Sequence, residues 1–353
     1  MPKRWQDIDP ATLALLREGT VIPAHPLALG PDRRLDRRHQ RALSRYYLAS
    51  GSGGMAVGVH STQFAIRETG LYEPVLRLAA ETAAGAGRPF ILVGGIVGRT
   101  DQALREAAIA RDLGYHAGLL GLGAWRGAGE DEVLEHCRRV AAEIPVMGFY
   151  LQPAAGGLLL SADFWRRFAE IENVVAIKMA PFNRYRTLDV IRGVAMARAE
   201  ERITLYTGND DHIVLDLACP FVVRRGGETV TMRIRGGLLG HWSVWTRRAV
   251  EQLARIKAAV EAGPVAADLL ALDSMVTDAN AAFFDVANDF RGCIPGCHEV
   301  LRRQGLLPGI WCLDPDEKLS PGQAAEIDRV LAAYPELNDD AFVEANREAW
   351  LAD

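Results

Sequence analysis

Val174-Val175-Ala176-Ile177-Lys178-Met179-Ala180 is an apolar run of strand character that carries one charge inside it. Lysine otherwise occurs only at Lys3, Lys257 and Lys318, in polar or helical surroundings, and arginine supplies the rest of the positive charge. The period of two along a strand puts Val174, Ala176 and Lys178 on one face, and Val175, Ile177 and Met179 on the other. Burying an ammonium is costly, so an unpaired lysine in such a run lowers its pKa and sheds its proton. A neutral amine is a nucleophile for carbonyl carbon. Two readings stay open on this run alone: that nucleophile, or a lysine at a strand end that reaches water or pairs with a carboxylate.

The pattern repeats outward in both directions. Val21 to Ala24, Met55 to Val59, Phe90 to Val97, Ala117 to Leu122 and Val146 to Tyr150 read as strands before the run, and Ile203 to Tyr206 and Gly236 to His241 after it. Helical spacing fills the gaps, with Asp36, Thr100 and Ser161 placed as caps. Eight short strands alternating with helices predict an α/β fold, a (β/α)8 TIM barrel with a C-terminal helical appendage. A doubly wound sheet usually stops at about five or six strands. The expected divisions are an N-terminal helical segment over 1–19, the barrel over 20–262 and a C-terminal helical region over 263–353. Val222 to Arg235, with Arg-Arg-Gly-Gly-Glu at its centre, reads as a hairpin inserted before the eighth strand.

Composition narrows the function classes. Of 353 residues, 49% are apolar, enough for a sizeable core, and the net charge is −5 with arginines dispersed among carboxylates, so no nucleic-acid surface is expected. No apolar run approaches the roughly 20 residues that span a bilayer. The opening MPKRWQDIDP lacks the apolar core of a signal peptide. Cys137, Cys219, Cys293, Cys297 and Cys312 are odd in number and scattered, which fits a reducing cytoplasm. No second ligand pair follows Cys293-x3-Cys297-His298, so this cluster reads as structural rather than metal-binding.

Chemistry in such a barrel collects at the C-terminal ends of the strands. Those ends carry His25, His60-Ser61-Thr62, Trp125, Tyr150, Lys178, Asn209-Asp210-Asp211 and His241. Parity on the fifth strand puts Val146, Gly148 and Tyr150 on one face. If that face is the inner one, Tyr150 and Lys178 meet on adjacent strands, a phenol to shuttle protons beside an amine that forms an imine. The alternative is a tyrosine bonded to backbone.

With these residues in view the sequence resembles the dihydrodipicolinate synthase / N-acetylneuraminate lyase family of class I, Schiff-base aldolases, over roughly residues 18–245. Tyr150-Leu151-Gln152-Pro153 is similar to the family's Tyr-Asn-x-Pro, Ala176-Ile177-Lys178-Met179-Ala180 to its Gly-Ile-Lys-Glu-x, and Thr207-Gly208-Asn209-Asp210 to its Ser-Gly-Asp-Asp. Val21 to Leu29 resembles its opening Pro-Ala-x-x-Thr-Pro-Phe. The resemblance implies Lys178 as the imine-forming residue, Tyr150 as the proton shuttle, a 2-oxo acid or sugar acid as substrate, no metal or organic cofactor, and a homodimer or homotetramer.

The departures are specific. The family's Gly-Thr-Thr-Gly-Glu loop is replaced by Val59-His60-Ser61-Thr62-Gln63, so Ser61 and Thr62 are left to hold the carboxylate and His60 to relay protons. Gly123-Ala124-Trp125 lacks the lysine-pathway members' second tyrosine, and Pro153 to Gly157 lacks their substrate-gripping arginine. Losing the only cation of a carboxylate site is severe, so the lysine-pathway reaction is not expected. Trp125, Asp210 and His241 are candidate substrate contacts, although His241 also reads as a histidine merely bonded in the barrel mouth. Two further classes stand beside the aldolase: a metal-dependent hydrolase or lyase built on His25, His60, His241 and Asp210 or Asp211, and a barrel that binds a metabolite without turnover.

Overall fold

A computed structural model describes residues 1–352 of the chain, with the backbone alone at Ala154. Among the described residues nine strands form: β1 (Val21–Pro23), β2 (Gly54–Val57), β3 (Ile91–Ile96), β4 (Ala117–Leu120), β5 (Val146–Leu151), β6 (Val174–Ala180), β7 (Thr204–Thr207), β8 (Pro220–Arg225) and β9 (Glu228–Leu239). The order β1-β9-β7-β6-β5-β4-β3-β2 is parallel throughout. A bridge from Ala24 to Ala56 and a 3.1 Å bond from Gly53 N to Val21 O bring its ends together. The result is the expected (β/α)8 TIM barrel, an α/β fold whose sheet has no long free edge.

The insertion is more economical than a hairpin placed ahead of a separate strand. β8 pairs antiparallel with the first half of β9, and β9 then runs on into the ring, where Gly237, Leu238 and Leu239 pair with Val21, Ile22 and Pro23. The eighth barrel strand and the hairpin's return strand are therefore one element. Thr100 is also not a cap; the helix Thr100–Asp112 starts at it, and its hydroxyl lies 3.0 Å from His136 Nδ1.

Apolar side chains of the ring fill its interior: Ile22, Ala56, Val93, Leu119, Met147, Ala176, Tyr206 and Leu238 pack together. The N-terminal helix Pro10–Glu18 belongs to this inner core through Leu16. Tyr206 crosses the floor and donates from its hydroxyl to the Leu16 carbonyl at 2.8 Å. The outer core lies between the strands and the surrounding helices and continues without a break into the C-terminal helices Ala267–Phe283, Cys293–Arg303, Gln323–Ala333 and Asp340–Leu351. Buried Asp339 locks the two together. It accepts from Tyr46 Oη at 2.8 Å, Gln304 Nε2 at 2.8 Å and Arg247 N at 3.0 Å. Among the described residues no helix is long and apolar enough to cross a membrane.

Removing the Tyr206 hydroxyl leaves the Leu16 carbonyl buried without that partner. Tyr206→Phe is expected to lower unfolding free energy by about 1–3 kcal/mol, seen as a lower denaturant midpoint at unchanged slope.

Candidate active site

The strand register decides which side chains share the barrel mouth. Residues paired across neighbouring strands face the same way, and β5 pairs with β6 as Phe149↔Lys178 and Tyr150↔Met179. A slip sits one turn of the pleat earlier: Val146 pairs with Val174, but Met147 pairs with Ala176, so Val175 is the extra residue. The bulge breaks the parity of the lysine strand. Val174 packs in the outer layer, whereas Ala176 belongs to the interior and Lys178 follows it.

Lys178 accordingly points into a cavity of about 220 Å³ at the C-terminal end of the ring. Its Nζ lies 4.5 Å from the centre of the Phe149 ring, and its side chain is 7% exposed. Room for it comes from Gly208, after β7. A Cβ there would sit 2.5 Å from Lys178 Cε and 2.9 Å from Ala180 Cβ, closer than real side-chain contacts allow. Burial draws the amine's pKa down, and the negative charge of Asp210 pulls it part of the way back. Asp210 is itself buried, and burial raises its carboxyl pKa against the combined pull of the His241 backbone N–H and Lys178. The His241 N–H donates to Asp210 Oδ1 at 2.9 Å. Asn209, beside it, is spent on structure: its amide nitrogen donates to Asp216 Oδ2 at 2.9 Å and Thr187 Oγ1 at 3.2 Å.

His60 and Ser61 border the same cavity from the loop after β2. Burial holds the His60 imidazole at about 4, with the Lys178 charge adding to the effect, so it is neutral at neutral pH. The floor and sides are apolar, from Ala24, Val59, Phe149, Leu151 and Ala180. No arginine lines the cavity among the described residues, which leaves Lys178 as its one cationic side chain beside the carboxyls of Asp210 and Asp289.

Several expected residues lie elsewhere. Tyr150 faces outward against Trp165, ring centres 5.1 Å apart, and its hydroxyl is 3.3 Å from the Leu160 carbonyl. It shares its face with Gly148, where a Cβ would meet Phe168 Cε1 of the helix layer at 2.7 Å. The phenol therefore does not stand beside the amine; Phe149 takes that place. Trp125 packs on His136 at 4.7 Å beneath the Arg99 guanidinium and lines a different surface recess. The Thr62 hydroxyl is committed to the His25 carbonyl at 2.7 Å and to the Gly58 N–H at 3.0 Å. The His241 ring turns away to stack on Phe283 at 5.6 Å, so only its backbone serves the site. His25 is held by Ser44 Oγ and the Pro26 carbonyl, both at 2.8 Å. Among the described residues no group of three or more His, Cys, Asp or Glu side chains is arranged to hold a metal ion.

The C-terminal region supplies the part of the cavity that sequence reasoning missed. Phe284, Asp289, Phe290, Cys293, Ile294, Cys297 and His298 close it from above. Phe290 meets Phe182 edge-on at 6.0 Å across the mouth. Asp289 and Phe290 have φ of 55° and 66°, and a left-handed phenylalanine is a strained arrangement that the surrounding packing must hold. The Cys-x3-Cys-His cluster lies on the first turns of the helix Cys293–Arg303, and its only signal in the sequence was three chemically capable residues in a short span.

Gly208→Ala tests the space around the amine. It is expected to cost about 1–3 kcal/mol in stability and to displace Lys178, lowering its reaction with carbonyl compounds at least tenfold; differential scanning calorimetry and amine labelling read the two effects separately.

Three sequence relatives and two solved structures set this geometry beside known proteins. The chain is 30% identical over 149 residues to a 4-hydroxy-tetrahydrodipicolinate synthase of Alkaliphilus oremlandii, covering 42% of this chain and 49% of that one. It is 27% identical over 214 residues to the synthase of the same name from Aromatoleum aromaticum, covering 60% and 67%. An N-acetylneuraminate lyase of Citrobacter koseri is 26% identical over 193 residues, covering 54% and 62%. The matches thus span about half to two thirds of those relatives. In structure the chain is similar to dihydrodipicolinate synthase from Aquifex aeolicus (TM-score 0.73, 19% identity, 90% of this chain and 98% of that one). It is also similar in fold to CdNal from Clostridium difficile, solved in complex with mannosamine (TM-score 0.70, 14% identity, 90% and 99%). The sequence profile of the Dihydrodipicolinate synthetase family matches residues 19–239, most of the barrel that carries Lys178, and the chain belongs to that family.

Proposed function

We propose that the protein is a Schiff-base-forming lyase or aldolase that takes a 2-oxo acid, or the aldol adduct of one, on Lys178 and needs no metal or organic cofactor. The observation that carries this reading is the amine itself: buried, aimed into a cavity, against an aromatic face rather than in an ion pair. A lysine placed only for stability would be expected to find a carboxylate or water. Lys178 and Asp210 share a low-dielectric site in which a neutral amine beside a protonated carboxyl competes with the charged pair. The neutral form is the one that attacks.

The steps follow from that form. The Lys178 nitrogen attacks the ketone carbon, and the carbinolamine loses its oxygen as water after a proton reaches it, leaving an imine. A base then removes the proton from the hydroxyl of an aldol adduct, and the carbon–carbon bond breaks with its electrons drawn into the imine. This releases an aldehyde and leaves an enamine. Protonation of the enamine carbon and addition of water return the 2-oxo acid and the free amine. Asp210 and His60 are the groups assigned to move these protons, since both border the cavity and the charge of Lys178 is felt at both. Ser61 is assigned to the acid's carboxylate. We assign a substrate other than that of the lysine-pathway synthase; what supports this is that, among the described residues, no arginine lines the cavity to hold a second carboxylate.

Phe149, where a phenol was expected, favours one rival: a barrel that binds a carbonyl metabolite, or even forms the imine, without turning it over. Borohydride added with pyruvate decides the first point. The protein is expected to gain the mass of a reduced pyruvyl adduct on Lys178, and Lys178→Met to gain none. No adduct with a broad panel of 2-oxo acids would overturn the reading, whereas an adduct without any cleavage, condensation or exchange of pyruvate methyl protons would favour the rival.

The pH dependence gives a second test. Because burial lowers the Lys178 pKa, trapping is expected to rise with pH and level off well below the free-lysine value of about 10.4. The Asp210 charge raises the Lys178 pKa, so Asp210→Asn removes that pull. The rising limb is then expected to move to lower pH.

A further inference from the structure

One buried group in the cavity wall is left unused by the steps above. His298 lies on the helix Cys293–Arg303 and borders the cavity, with a side chain almost wholly buried at 1% exposure. Among the described residues neither ring nitrogen makes a hydrogen bond of good geometry, and the Ile310 carbonyl, the one backbone acceptor close enough to weigh on the ring, can engage only one of the two. The contrast with His25 is direct, since both nitrogens of that buried ring are within 3.0 Å of partners. A neutral imidazole has one donor and one acceptor, and leaving either dry and unpaired is costly unless another molecule pairs with it. Burial keeps His298 neutral, holding it at about 4 against a small opposing effect of the Ile310 carbonyl.

The neighbours say what kind of molecule that is. Phe284, Phe290 and Ile294 come from the same stretch of chain and give an apolar wall. The charged side chain that the same stretch adds to the lining is the carboxyl of Asp289, which disfavours an anion. His60 comes from the loop after β2 and His298 from the C-terminal helix Cys293–Arg303, so the two histidines belong to different walls of the cavity.

We propose that His298 receives a hydroxyl or carbonyl oxygen on the uncharged, apolar half of the substrate, remote from the ketone carbon that Lys178 engages. The substrate class is then a 2-oxo acid extended by an aryl or alkyl group with one hydroxyl, rather than a second acid. This rests on the Schiff-base reading, and the experiment separates the two.

The probes are 4-(4-hydroxyphenyl)-2-oxobutanoate, whose hydroxyl lies on the ring away from the reacting carbons, and its deoxy counterpart 4-phenyl-2-oxobutanoate, each titrated in the borohydride reaction. The wild-type protein is expected to half-saturate at roughly tenfold lower concentration with the hydroxylated acid, in line with one hydrogen bond to a buried group. His298→Phe is expected to erase that preference, and His298→Asn, which keeps a donor and an acceptor, to restore part of it. Equal half-saturation in the wild type, or a preference that survives in His298→Phe, would overturn the assignment. Absence of any trapped acid would defeat the Schiff-base reading instead. The ¹⁵N shifts of the His298 ring then decide: movement with the hydroxylated acid and not with the deoxy acid supports the contact, and no movement overturns it.

Discussion

An ammonium loses so much hydration inside a closed ring of strands that it must find a partner, reach water or give up its proton. Lys178 is held where water is largely excluded and the carboxyl that acts on it, Asp210, is itself buried, and much of the surrounding structure follows from that constraint. Gly208 must be a glycine because the lysine stem occupies the space of its side chain. Phe149 offers a π face in place of a carboxylate. Asp210, the nearest acidic influence, is itself kept buried and positioned by a backbone N–H of the loop after β9. The barrel is thus a means of keeping one nitrogen dry while leaving its front open to a small molecule.

The same constraint explains the division of labour around the mouth. Side chains that look chemically capable at the strand ends are largely committed to holding loops. Thr62 ties the second loop to the first, Asn209 ties the seventh to buried Asp216, and His25 is enclosed by Ser44, Gln40 and the Pro26 carbonyl. These bonds fix the loops from which Ser61, His60 and Asp210 reach the cavity. Stability and site are not separate regions of this protein; the bonds that hold the loops are those that aim the free groups.

How much of this was legible in the sequence depends on the kind of signal. The ring of strands was, because eight apolar runs at helical separation leave few other folds, and the family resemblance carried on dispersed motifs agreed with it. Lys178 was legible because a single charge in an apolar strand has few bland explanations. Tyr150 was not. Parity says which residues of a strand share a face but not which face is inside, and its motif match to the family outweighed the larger apolar neighbour Phe149. The bulge at Val175 also has no sequence mark, so Val174 was assigned to the lysine's face when it lies on the other. Trp125 and His241 illustrate a further limit: a residue at the end of a strand can turn back onto the helix layer, and only tertiary packing decides that. The contribution of Phe284 to His298 was out of reach, since helical periodicity in the C-terminal region does not say where a helix docks.

The cavity is composite in origin. Its reactive floor comes from the barrel, and its upper wall comes from one contiguous stretch, 284–298, that the profile of the family does not cover. That stretch contributes no strand to the ring, so it can change the upper wall without altering the strand that carries the amine. Such a layout separates the strand that carries the nucleophile from the stretch of chain that shapes the upper wall, so the two can be altered independently.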